Sequence, residues 1–105
     1  MIIHDVKLKV TSQKGNCGCG HKVGDEWIIS GHTPANMCNG AYAALVPFVR
    51  TLQYGGDYEW PLGSGTLQLC CPDPFNPVIF EITRVPGTAG EIKGTSTTAD
   101  WPEKR

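Results

Sequence analysis

The sequence has no run approaching the roughly 20 apolar residues that a helix needs to cross a bilayer. Its opening residues, Met1-Ile2-Ile3-His4-Asp5, show neither the basic start nor the apolar core of a secretion signal. A cytoplasmic protein without a membrane role is therefore expected. An excess of positive charge is missing as well: 9 Lys and Arg stand against 10 Asp and Glu, for a formal charge of −1. A chain so balanced offers no electrostatic footprint for a nucleic-acid backbone or an anionic lipid surface, so neither is expected as a partner. No internal repeat is visible.

Several chemical signatures are absent too. A c-type haem site needs C-x-x-C-H, whereas Cys17, Cys19 and His21 give C-x-C-x-H. A Rieske centre would need a second Cys and His pair after Cys19-Gly20-His21, and none follows. Zinc fingers and ribbons present paired C-x-x-C or H-x-x-x-H knuckles, and thioredoxin chemistry wants C-x-x-C at a helix start; the chain has no such spacing. It contains no G-x-S-x-G and no H-E-x-x-H, and Gly18-Cys19-Gly20 is no phosphate loop.

What is present is a chain of 105 residues, 40% of them hydrophobic, with five cysteines. That length suits one compact domain that buries about two-thirds of its unfolded surface. The core is modest, and a metal or an oligomer contact would strengthen it. An odd cysteine count without a secretion signal argues against a disulfide framework, because the cytosol keeps thiols reduced. Metal ligation or thiol chemistry becomes the leading explanation.

Residues 2–11 alternate, with Ile2, His4, Val6, Leu8 and Val10 on one face, the pattern of a half-buried strand. His4 shares the apolar face and is expected to be a core histidine with one satisfied hydrogen bond. A glycine-rich loop, 12–24, carries Cys17 and Cys19 and leads into a second strand at 26–30. Leu45, Phe48, Val49 and Leu52 then fall on one helical face, with Asn36 or Asn39 as cap and Gly55-Gly56 as stop. Pro47 predicts either one kinked helix or two short ones. Strands follow at 66–71 and 78–85 around a Pro72-Asp73-Pro74 turn. The expected fold is α+β: a small, mainly antiparallel sheet in the order strand, strand, helix, strand, strand, occupying residues 1–85. Residues 86–105 shift to Gly, Thr, Ser, Ala and charges, and are expected to form an arm. It would pack on its own domain or on a protein partner or second subunit, with Trp101 as anchor.

The cysteines fall where regular elements begin or end: Cys17 and Cys19 in the loop, Cys38 before the helix, Cys70 and Cys71 before Pro72. Such places leave backbone N–H groups free to stabilise thiolates, and the start of a helix adds its dipole. Three segments could thus converge on one point. Adjacent side chains of a strand point to opposite faces, so one of Cys70 and Cys71 is expected to be the stronger ligand. A dispersed set with a Cys-Pro step suits an iron–sulfur cluster better than zinc. His21 is open to three roles: ligand, donor to a cluster sulfur, or turn residue. Asp25 and Asp73 fit turns beside Gly and Pro, and His32 is expected in solvent.

The combination of Cys17-x-x-Gly20-His21-Lys22-Val23-Gly24-Asp25, Cys38-x-x-Ala41, Leu45-x-Pro47, Tyr54-Gly55-Gly56, Trp60, Cys71-Pro72-Asp73 and Val78-Ile79-Phe80-Glu81-Ile82 resembles a family of small uncharacterised prokaryotic proteins, frequent in anaerobes. The resemblance spans about residues 5–85 and carries no assigned activity. It implies that Cys17, Cys38 and Cys71 belong to the shared pattern, with Cys70 a common companion. Cys19 and the tail fall outside it.

Three functions compete. The first is an iron–sulfur protein for electron transfer or redox sensing, whose cluster, preferably of four irons, is held by Cys17, Cys38 and Cys71 with Cys70 or His21 as the fourth ligand. Trp27, Trp60 and the Leu45/Phe48 face would give it low-polarity cover. The second is a zinc-stabilised interaction module. The weakest is a cysteine-dependent enzyme using Cys38, because no histidine is placed beside that residue by sequence.

Overall fold

The computed structural model describes residues 2–59, 63, 65–86 and 90–91. Its elements run β1 (Ile2–Ile3), β2 (Val6–Gln13), β3 (Glu26–Ile29), α1 (Asn39–Gln53), β4 (Thr66–Cys70), β5 (Val78–Arg84) and β6 (Gly90–Glu91). Four strands make an antiparallel sheet in the order β3-β2-β5-β4, with α1 packed on one face, so the fold is α+β.

Alternation decides which face the helix covers. Val6, Leu8 and Val10 of β2 and Val78, Phe80 and Ile82 of β5 are fully buried or nearly so, and Leu67 of β4 joins them. Lys7, Lys9 and Glu81 point the other way, where Lys9 lies 4.0 Å from Glu26 of the neighbouring strand. From the helix come Ala41, Leu45, Val49 and Leu52, spaced to share one stripe. Each buried Leu or Val contributes roughly 1.5–3 kcal/mol by leaving water, which holds this helix of four turns on the sheet.

Alternation runs through residues 2–11 as the sequence suggests, yet the strand breaks at His4-Asp5. There the His4 N–H donates to the Gln53 carbonyl at 2.7 Å, which turns the chain toward the helix end. His4 is half-buried, and its Nδ1 has no hydrogen-bond partner among the described residues, in contrast to the satisfied core histidine expected. The register of β2 on β5 shifts between Val10 and Ser12, a bulge at Thr11 just before the cysteine loop.

One helix spans Pro47, rather than two short ones. Pro47 is exposed, as is Ala43, whose carbonyl loses its usual donor, and water can serve that carbonyl at little cost. Neither asparagine is the N-cap: Asn39 is already helical, Asn36 precedes the helix at φ 61°, and the cap position is Cys38. At the other end Gly55, at φ 84°, donates to Leu52 and Gly56 donates to Thr51, a Schellman stop. Gly56 has no room for a side chain, since a Cβ would lie 2.6 Å from Thr51 Cγ2.

Arg84 closes the same helix end from β5. Its Nε donates to the Leu52 carbonyl at 2.9 Å, another guanidinium nitrogen reaches the Gly56 carbonyl, and Asp57 lies 3.7 Å away. Gln53, almost wholly buried, donates through Nε2 to the Ser30 carbonyl at 2.6 Å and so ties α1 to the end of β3.

Within the segment assigned to the arm, β6 pairs antiparallel with β1, Ile2 opposite Glu91. Trp101 and Trp60 lie outside the described residues. Among the described residues no helix is long and apolar enough to cross a membrane.

Candidate metal centre

Two loops and the start of α1 meet at one end of the sheet. The first loop joins β2 to β3 and is closed at its base by Val10, which accepts from Gly24 and donates to Asp25. Within it Gly20, at φ 75°, donates to the Cys17 carbonyl at 3.0 Å and folds Cys17-Gly18-Cys19 into a tight turn. Asp25 accepts from the Lys22 N–H at 3.0 Å and faces the Lys22 ammonium at 3.3 Å. The Lys22 N–H bond holds its carboxyl below the usual range, with the lysine charge adding to it, as expected of a turn residue.

The second loop joins β4 to β5. Asp73 accepts at Oδ1 from the N–H groups of Phe75 (2.9 Å) and Asn76 (3.2 Å), and at Oδ2 from Asn76 Nδ2 (3.1 Å). This is an Asx turn, and those bonds, led by the Asn76 side chain, lower the Asp73 pKa. Asn76, thus fixed, accepts from the Asn16 N–H at 2.8 Å, while Lys14 donates to the Pro77 carbonyl. The Asp73 turn therefore pins the loop that carries Cys17.

His21 joins that loop to the helix. Its ring is buried, packs edge-on against Trp27 at 4.9 Å and Phe80 at 6.4 Å, and accepts at Nε2 from the Cys38 N–H at 3.0 Å. The hydrogen bond assigns the ring hydrogen to Nδ1 in the neutral form. With Nε2 engaged, His21 positions Cys38.

These contacts surround a cavity of about 220 Å³ whose walls include Cys17, Cys19, His21, Cys38, Cys71 and Phe80. Phe80, Ala41 and Val78 give it a largely apolar lining. The expected cover from the Leu45/Phe48 face is not part of it: Leu45 is buried in the core and Phe48 packs on Tyr58, 5.7 Å between rings. Trp27 contributes indirectly, by bracing His21 and Phe80.

The five cysteines are free thiols in unlike settings. Cys38 sits at the helix N-cap; the N–H groups of Ala41 and, less strongly, Gly40, with the Cys19 thiol, favour its thiolate and lower its pKa against the opposing effect of burial. Cys19, exposed, has its pKa raised, first by the Cys38 side chain beside it, then by desolvation and the charges of Cys38 and Cys17. Cys71 follows β4 on the face of Leu67, and its Sγ accepts from the Val78 N–H at 3.3 Å. Cys70 points to the opposite face, is exposed and lies outside the cavity, and burial and the neighbouring Cys71 raise its pKa.

Of the residues singled out by sequence, Cys17, Cys38, Cys71 and His21 thus come together, and Cys70 does not join them. Cys19, set aside by sequence, stands on the cavity wall; its C-x-C spacing around a turn closed by Gly20 is the signal that places it there. Asn76 was also missed, although Asp73-x-x-Asn76 has the spacing of an Asx turn. Among the described residues no three His, Cys, Asp or Glu side chains stand close enough to hold a metal ion. In comparisons with known proteins the chain matches no family model, no curated protein and no solved structure.

Proposed function

We propose that this chain is a small iron–sulfur protein that binds a cluster, preferably of four irons, through Cys17, Cys19, Cys38 and Cys71, and exchanges electrons with a partner or senses redox state. The observation that carries this reading is four thiols from three chain segments on the wall of one largely apolar cavity of about 220 Å³. Cys19 takes the fourth place for which the sequence offers Cys70 or His21. A single zinc ion needs its donors about 2.3 Å from one point. Thiols ringing a cavity instead suit a group with its own volume, bound at several corners. The residues fit thiolate ligation: the backbone of Ala41 and Gly40 at the helix start lowers the Cys38 pKa, and the Val78 N–H donates to Cys71 Sγ at 3.3 Å. Bound there, a cluster would supply one-electron chemistry. Because Cys19 is exposed, one side of the site faces solvent, where a partner can approach. Free thiols also suit a reducing, cytoplasmic setting.

The test is anaerobic reconstitution with ferrous iron and sulfide, followed by the visible spectrum and iron and acid-labile sulfide counts. A brown protein with near-equal iron and sulfide supports the proposal. Loss of colour in Cys71→Ser and Cys19→Ser, with retention in Cys70→Ser, supports the ligand set. A colourless protein carrying stoichiometric zinc overturns the cluster in favour of the zinc module, and a metal-free chain overturns both.

A further inference from the structure

Cys19 and Cys38 share more than a cavity. Both also line an open groove beside it, with Asn36, Met37 and Asn39, so this pair of residues borders solvent on a second side. The two thiols shift each other's pKa although 19 positions apart, and their residues form the wall between the cavity and the groove, the first on a glycine-flanked loop and the second at the end of a rigid helix. The two pairs that are neighbours in sequence are worse placed. Cys17 and Cys19 are separated by one residue inside a tight turn. Cys70 is held in the ladder opposite Ile79, and the side chains of Cys70 and Cys71 leave an extended backbone toward opposite faces.

From this geometry we infer that Cys19 and Cys38 form a reversible disulfide in the cluster-free protein, by exchange with a low-molecular-weight disulfide. The Cys38 sulfur attacks one sulfur of that molecule, making a mixed disulfide and releasing one small thiol. The Cys19 thiol gives its proton to solvent and displaces the second small thiol, which leaves as a thiolate and takes up a proton. Two protein thiols are oxidised to one disulfide, and one external disulfide is reduced to two thiols. The consequence for metal loading rests on the proposed cluster: the bond would withdraw two of four ligands, so the centre would assemble only under reducing conditions.

The experiment uses the full chain, freed of metal, incubated with oxidised glutathione, then alkylated, cleaved after Lys and Arg and read by mass spectrometry. The expected product is a link between residues 15–22 and 23–50, with fragmentation placing it at Cys19 and Cys38, alkyl groups on Cys17, Cys70 and Cys71, and full reversal by dithiothreitol. Cys19→Ser should stop at a glutathione adduct on Cys38, and Cys70→Ser should leave the link intact. A link confined to Cys17 and Cys19 or to Cys70 and Cys71, or no link at all, overturns the inference. Loading with iron and sulfide is measured in parallel and should fall at least tenfold in the oxidised fraction; equal loading before and after oxidation overturns the gating. Should the link form while the reduced protein takes up no iron, the disulfide stands and the cluster fails. Loading without any link gives the converse.

Discussion

The backbone N–H of Cys38 donates to Nε2 of His21 across 3.0 Å, so a buried ring from the β2–β3 loop holds the first turn of the helix at the cavity. Replacing His21 by alanine removes that acceptor and the edge contacts with Trp27 and Phe80. The expected cost is about 3 kcal/mol, the range for truncating a buried ring and leaving an N–H unpaired. His21→Gln, which offers an acceptor without the ring, should recover part of it. Urea denaturation measures the stability, and the alkylation rate of Cys38 separates loss of positioning from a purely structural effect: it should rise in alanine more than in glutamine.

The Cys17 loop should be sensitive to a single methyl group at one glycine and indifferent at another. Gly15 has φ 70°, and a Cβ there would lie 2.4 Å from Asn76 Oδ1, the atom that accepts from the Asn16 N–H. Gly15→Ala is expected to cost about 1–3 kcal/mol through left-handed strain and the displaced asparagine. Gly18 has nothing within 4 Å, and its alanine variant should stay within about 0.5 kcal/mol of the parent. Faster alkylation of Cys17 in Gly15→Ala alone would show that Asn76 anchors the loop. Equal rates in both variants would contradict it.

Much of this architecture was legible because short-range rules decide it. Alternation in residues 6–10 and 78–82 marks the buried face, and the Leu45, Val49, Leu52 stripe marks the helix that covers it. The same alternation separates Cys71 from Cys70. What was not legible depends on contacts between distant segments. Asn76 meets Asn16 across 60 positions and His21 meets Cys38 across 17, so no local pattern reveals either. Cys19 falls outside the resemblance, while its place at the cavity follows from a turn closed by Gly20. The helix cap follows the same logic: asparagine is a good cap by propensity, but the position at the helix start is occupied by Cys38, which lines the cavity.

Acid should loosen the site through Asp73. Its folded-state pKa is lowered, first by the Asn76 side chain and then by the Phe75 N–H, so its bonds stabilise the fold in full above the unfolded-state value. That contribution is lost as pH falls through the lower folded value. Asp25 follows the same sign through its Lys22 contacts. Asp73→Asn keeps an oxygen acceptor but has no charge to titrate. Its stability, followed by urea midpoints from about pH 6 to about pH 3, should therefore fall less steeply than that of the parent. Parallel slopes would show that Asp73 does not contribute to the acid response.

Arg84 offers a test at the opposite end of the helix from the cysteines. Its guanidinium serves the carbonyl of Leu52, which also accepts from Gly55, and the carbonyl of Gly56 just past the helix, and it faces Asp57 at 3.7 Å. The positive charge at a helix C-terminus also complements the dipole. Arg84→Met keeps most of the stem and removes every donor, and should cost about 1.5–3 kcal/mol, the range for hydrogen bonds to a charged group. Arg84→Lys retains the charge but not the fork that reaches two carbonyls, and should fall between methionine and the parent. Because the site lies beyond the first turn of α1, iron and sulfide uptake per folded chain should be unchanged in both variants, as measured below their unfolding midpoints. A stability loss without a change in uptake would show that the two ends of α1 act independently, whereas reduced uptake by the folded variants would show that the helix transmits strain from Arg84 to Cys38.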